Sequence, residues 1–192
     1  SQEVAERQRR QGLRRPLQVI PTGVDVASFR AGDAAGPRRE LGLSGQDRVL
    51  LYMGRVAREK CLDFLLEALA MARREDPRLR LVVIGDGPER AALQAQADGL
   101  GLNGHVTFLG YRPRASLRHY LAAATAFVFT SRTETQGLVL LEAQAAGVPV
   151  LAVRASGTSE AVAPERSGVL VEPGDLEAFV AAFLRVVGDE AL

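Results

Sequence analysis

Two glutamates, Glu134 and Glu142, flank seven residues in the stretch SRTETQGLVLLEAQAAGVPVLAV (131–153). Glu142 is surrounded by Leu138, Val139, Leu140, Leu141, Ala143, Ala145 and Ala146, the composition of a buried helix. An unpaired carboxylate there is costly, and the positions one helical turn away offer no cation. Its partner must be backbone amides, a distant arginine, or the hydroxyls of a ligand. Glu134, in the loop before the helix, would face the same crevice. Between them, the helix opening at Gln136, Gly137 and Leu138 exposes free backbone N–H groups, a ready site for an anion.

A second chemically suggestive stretch is GRVAREK (54–60). Gly54 lets backbone approach a ligand closely. Arg55 and Lys60 are either two cations converging on one anion or solvated loop charges. GDGP (85–88) places Gly85 and Gly87 in a tight turn that can also admit a flat ligand. In GYRPRAS (110–116), Tyr111 and Arg112 are candidate walls of a base pocket. Glu160, in RASGTSEAV (154–162), reads as a local structural partner. His105 and His119 have no companions at metal-ligand spacing, so no metal site is expected. The dinucleotide fingerprint GxGxxG is absent after the first strand.

These groups all follow short apolar, often β-branched runs: 49–53, 79–85, 105–110, 126–130, 148–153 and 168–172. Helical patterns fill the gaps. Leu62, Leu65, Leu66 and Leu69 mark one buried helix face, and Leu176, Phe179, Val180, Phe183, Leu184 and Val187 another, with Asp175 as its N-cap. Further helices are expected at 88–99, opening on Pro88, and at 115–124, 137–146 and 157–163. Residues 30–48, rich in Gly, Pro and charge, read as a loop or linker. Alternating strands and helices predict an α/β, Rossmann-like doubly wound parallel sheet with helices on both faces. Ligands of such sheets bind beyond the carboxyl ends of the strands, where the residues above fall.

The totals are compatible with one such domain: 192 residues, 47% hydrophobic and 24% charged, are the proportions of an ordinary globular chain. A net charge of +1 gives no argument for nucleic acid. Cys61 is the one cysteine, so no intramolecular disulfide forms, which suits a cytoplasmic location. No apolar stretch approaches the ~20 residues that span a bilayer, and residues 1–16 lack the apolar centre of a signal peptide. Arg7, Arg9, Arg10, Arg14 and Arg15 form either a solvated helix face or a basic patch able to meet an anionic lipid surface.

Taken in order, IPTGVD (20–25), GRVAREK, GDGP, FLGY (108–111), ETQGLVLLEAQAAGVPV (134–150), SGTSEAV (156–162) and SGVLVEPGD (167–175) resemble the donor-binding half of family 4 retaining glycosyltransferases. The resemblance runs over roughly residues 17–187 and implies the C-terminal half of a GT-B enzyme. It implies residues 17–192 as a nucleotide-sugar-binding domain, with 1–16 the end of an interdomain connection and the N-terminal acceptor domain absent. By position, it makes Arg55 and Lys60 the diphosphate clamp. Glu134 and the Gly137–Leu138 backbone would contact sugar and phosphate, Glu142 the ribose hydroxyls, and Ile84–Gly85 with Tyr111–Arg112 the base. Glu134, Arg55 and Lys60 would be the catalytic groups, with no cofactor and no metal. Cys61 departs from the family's usual Gly after the lysine, which puts the local turn in question.

The resemblance further implies retention of anomeric configuration by front-face attack, with Glu134 orienting the sugar and the leaving phosphate helping to take the acceptor proton. A UDP-hexose donor and a sugar or lipid acceptor held by the other domain are favoured, with peripheral membrane contact of the full-length enzyme. The isolated chain is expected to bind nucleotide sugar weakly and to transfer little or nothing alone. The competing readings are a sugar-nucleotide epimerase or phosphorylase on the same scaffold, and a non-catalytic nucleotide-binding module.

Overall fold

The computed structural model describes residues 2–20, 22–163 and 167–188, apart from the side chain of Glu3. Pro21 of the IPTGVD motif and residues 189–192 lie outside the described residues. Six parallel strands form one sheet: β1 (Arg48–Met53), β2 (Leu79–Ile84), β3 (Val106–Gly110), β4 (Ala126–Phe129), β5 (Val150–Val153) and β6 (Gly168–Val171). Their spatial order is β3-β2-β1-β4-β5-β6. The chain builds outward from β1 in one direction, then returns to its other side, so the topological switch point lies between β1 and β4. The strands have near-continuous apolar sequences because helices cover both faces: β4 and β5 are buried throughout, and β1 from Val49 to Met53.

On one face lie α4 (Leu62–Ala72), α5 (Arg90–Gly99) and α9 (Leu176–Gly188). The leucines 62, 65, 66 and 69 are buried at the expected spacing, and Phe64 meets Phe179 edge-on, centroids 5.3 Å apart, where α4 packs on α9. Asp175 caps α9 by accepting a hydrogen bond from the Ala178 N–H at 3.0 Å. The other face carries α6 (Arg114–Ala123), α7 (Leu138–Ala145) and α8 (Ser156–Ala161), with two short helices, α2 (Val26–Arg30) and α3 (Ala35–Glu40), packed outside them. At the amino end of the chain lies α1 (Gln2–Arg10), whose arginines 7, 9 and 10 are exposed. No helix among the described residues is long and apolar enough to cross a membrane.

Two expectations need correction. Residues 30–48 are not simply a loop, because α3 forms within them. It is held from outside: Glu40 accepts hydrogen bonds from the Tyr120 hydroxyl and the Arg112 guanidinium, each at 2.7 Å. The helix expected at 88–99, α5, does not begin at Pro88. It opens at Arg90, because the Glu89 N–H is drawn to the Val56 carbonyl at 3.2 Å and 86–89 remain a turn against the β1 loop.

Candidate functional site

At the switch point, the loops after β1 and β4 meet. The Tyr52 hydroxyl donates to the Arg55 carbonyl at 2.9 Å, fixing the exit of β1. Burial raises the Tyr52 pKa, reinforced by the Glu134 carboxylate, so this hydroxyl keeps the proton it donates. The Arg55 side chain above it makes no hydrogen bond or ion pair among the described residues. Beyond it a single 3-10 turn, Arg58–Lys60, ends at Cys61 with φ 50° and ψ 45°, the left-handed region. Glycine enters this region freely; cysteine does so at a cost. The turn forms nonetheless, and Thr130 Oγ1 donates to the Lys60 carbonyl at 2.7 Å. Lys60 Nζ reaches across to Glu134 Oε2 at 3.2 Å and Ser131 Oγ at 3.3 Å, 5.6 Å from the centroid of Phe129.

Glu134 sits in a loop that α8 helps to hold, since the Gly157 N–H donates to the Glu134 carbonyl at 2.9 Å. Gly137, at φ 62°, turns this loop into α7, and no side chain caps that helix start. The Leu140 N–H turns back to the Gly137 carbonyl at 2.9 Å, which leaves those of Leu138 and Val139 for solvent or an anion. Glu142, just over one turn in, has a side chain only 3% exposed. Of the partners open to it from sequence, the structure supplies the distant arginine: Arg114 Nη2, at the start of α6, donates to Glu142 Oε1 at 2.6 Å. Among the described residues, no backbone amide bonds to this carboxylate.

Two adjoining cavities open over these groups, about 440 and 450 Å³ in volume. Both are within the range of small-ligand sites, and they share Met53, Gly54, Arg55, Leu138 and Val139. Lys60, Glu134 and Gln136 line the first; Ile84, Gly85, Tyr111, Arg112 and Glu142 line the second. Gly137 joins them as the turn into α7. Every sequence-selected residue is thus brought to one end of the sheet. Gly85, at φ 131°, is needed for protein packing as well: a Cβ there would overlap the Gly54 carbonyl, so the two strand ends could not close. Tyr111 is exposed at the rim. Arg112 walls the second cavity, but its guanidinium is committed to Glu40, Tyr120 and the Leu109 carbonyl and is not free for a ligand. The charged side chains around the two cavities are Arg55, Lys60, Arg112 and Arg114 against Glu59, Asp86, Glu134 and Glu142.

Sequence reasoning passed over Arg114. Its partner is 28 residues away on another helix, and only its place at the start of a helix following β3 marked it. It also passed over Phe129 and Ser131, whose polar or aromatic character at the end of β4 was visible but unspecific. The histidines have ordinary partners: His119 Nδ1 accepts from the Asp33 N–H at 3.0 Å, and His105 lies between Arg73 and Arg80. Burial first, then those arginines, lower its pKa. Glu160 takes a hydrogen bond from the Gln2 N–H at 3.2 Å, a partner distant in sequence rather than the local one expected.

Comparison with known proteins agrees with this geometry. Residues 37–192 match the profile of the family described as Glycosyl transferases group 1. The chain is 40% identical over 160 residues to the D-inositol 3-phosphate glycosyltransferase of Segniliparus rotundus, covering 81% of this chain and 36% of that protein. It is 41% identical over 169 residues to the protein of the same name from Frankia alni, covering 83% and 41%. The chain therefore spans about two fifths of the length of these curated relatives. Among solved structures, sucrose-phosphate synthase from Thermosynechococcus elongatus superposes with a TM-score of 0.85 at 32% identity, covering 98% of this chain and 47% of that one. Anabaena HepE in complex with UDP gives 0.82 at 28% identity, covering 91% and 48%. With a Rossmann-like sheet, a cleft at its switch point and this match over most of its length, the chain belongs to the group 1 glycosyl transferases.

Proposed function

We propose that this chain is the nucleotide-sugar donor-binding domain of a retaining hexosyltransferase, with a UDP-glucose-like donor favoured and no metal in the reaction. The observation that carries this reading is Arg55, a cation with no partner among the described residues at the junction of two cavities, beside the uncapped start of α7. A nucleoside diphosphate supplies the anion that Arg55, Lys60 and the α7 amides together fit. Its phosphates would lie over Gly54 and Gly137, its base toward Gly85 and Tyr111, and its ribose against Glu142. The HepE structures with UDP and with UDP-glucose support the nucleotide and the sugar by similarity.

Cleavage of the anomeric bond leaves negative charge on the diphosphate. Arg55, Lys60 and the α7 start would stabilise that charge where it develops, with little reorganisation. Glu134, paired with Lys60, would orient the sugar hydroxyls, and the leaving phosphate would help accept the acceptor's proton during front-face attack. The acceptor's hydroxyl would be presented by another domain. A sugar or lipid acceptor remains open, and the names of the relatives add a phosphorylated cyclitol to that range.

Calorimetric titration of UDP into the chain tests this assignment. Arg55→Ala and Glu142→Ala are expected to weaken binding while the circular dichroism spectrum stays that of the parent. Unchanged affinity in both variants would show that the nucleotide binds elsewhere or not at all.

A further inference from the structure

We infer that Arg114 is the positioning residue that makes Glu142 a selective acceptor for a ribose diol, an inference that rests on the donor-site reading above. Glu142 is nearly inaccessible on a helix whose neighbouring side chains are apolar, so its own element cannot hold it in place. Among the described residues only one hydrogen bond reaches its carboxylate, the 2.6 Å contact from Arg114 Nη2 to Oε1. No bond reaches Oε2, and no buried side-chain oxygen or nitrogen among the described residues lacks a partner, so Oε2 opens onto the cavity.

The two side chains differ sharply in setting. Glu142 is 3% exposed, whereas Arg114 is 74% exposed at the mouth of the same cavity, anchored by Pro113 and the first turn of α6. A guanidinium has five N–H donors in a rigid fork, and one of them is engaged here. The pair therefore presents an acceptor, Oε2, beside further unused donors. A vicinal diol carries both functions on adjacent carbons and can donate to Oε2 while accepting from the guanidinium. A deoxyribose lacks one of the two hydroxyls and leaves one side of the pair unmatched. A group that merely neutralised Glu142 would not distinguish the two sugars.

The test is calorimetry of UDP and 2′-deoxy-UDP against the parent chain and four variants. The parent should prefer UDP by roughly 10- to 100-fold, the worth of one hydrogen bond to a charged group. Glu142→Gln should abolish most of that preference, and Arg114→Ala should reduce it to within about threefold. Arg114→Lys, which keeps a cation without the fork, should fall between. Removing Arg114 orphans a buried carboxylate and can compromise folding, so the double variant Arg114→Ala/Glu142→Gln is included. It should discriminate no less than Glu142→Gln alone, because both changes act on one contact. If Arg114→Ala and Arg114→Lys keep the parental preference while Glu142→Gln loses it, the role of Arg114 is refuted and the donor site stands. If Glu142→Gln also keeps the preference, or the parent binds no UDP, the donor-site reading falls and this inference with it.

Discussion

Replacing Cys61 by glycine should stabilise the chain without altering its cleft. Cys61 is the one non-glycine residue with positive φ among the described residues, at φ 50° and ψ 45°. An L-residue pays roughly 1–2 kcal/mol to sit there, and glycine removes that strain. Against this, glycine loses about 0.5–1 kcal/mol more conformational freedom on folding. The thiol offers little in return, since it is only half-buried and lies 3.9 Å from its nearest hydrogen-bond acceptor, the Glu59 carbonyl. Glycine is also acceptable where α4 begins. The net gain is about 0.5–1 kcal/mol, or roughly 1–4 °C in Tm for a domain of this size. Urea unfolding followed by circular dichroism measures it, with Cys61→Ala as the control that removes the thiol and keeps the strain. Equal stabilisation by alanine and glycine, or none by glycine, would refute the strain argument. Lys60 should still meet Glu134, so UDP affinity should match the parent in both variants.

Two other expectations follow from the packing around the site. Gly85→Ala should destabilise by more than about 2 kcal/mol, because it combines a disfavoured φ of 131° with overlap on the Gly54 carbonyl; thermal unfolding checks this, and a parental Tm would contradict it. The Tyr120 hydroxyl, then Arg112, hold the Glu40 carboxyl below its ordinary value, so its contribution is complete above about pH 4.5 and lost as pH falls through the depressed folded value. Glu40 is 45% exposed, so Glu40→Gln should cost well under 1 kcal/mol at pH 7. Its gap to the parent should narrow as pH falls below about 4.5 in acid-unfolding titrations.

The six strands were legible because a central parallel strand is buried on both faces, and runs such as 49–53 and 126–130 have no other use in a chain of this composition. The long helices α4 and α9 were legible from their apolar stripes. By contrast, α2 and α3 have five and six residues, too few for a helical period to show. What holds α2 in place is Phe29, buried where α2 packs on α6 and α7, far away in sequence, and so invisible as a pattern within its own segment. In the candidate site, Arg55, Lys60, Glu134 and Glu142 could be picked out because glycine-punctuated strand ends and a carboxylate among leucines are local anomalies. Arg114 could not, since an ion pair between α6 and α7 leaves no trace in either helix alone.

The charges around the cleft come in equal numbers, four cations and four carboxylates. Such a cleft has almost no monopole, so it neither draws anions from a distance nor traps them in a deep well. On the donor-site proposal, recognition would be left to short-range fields, the orientation of Arg55, Lys60 and the α7 amides toward the phosphates. For a group-transfer site this has a kinetic meaning. A charged leaving group would be stabilised while it forms, yet its escape would be opposed by contacts that a small opening of the cleft would break, not by a net charge that would follow it into solvent.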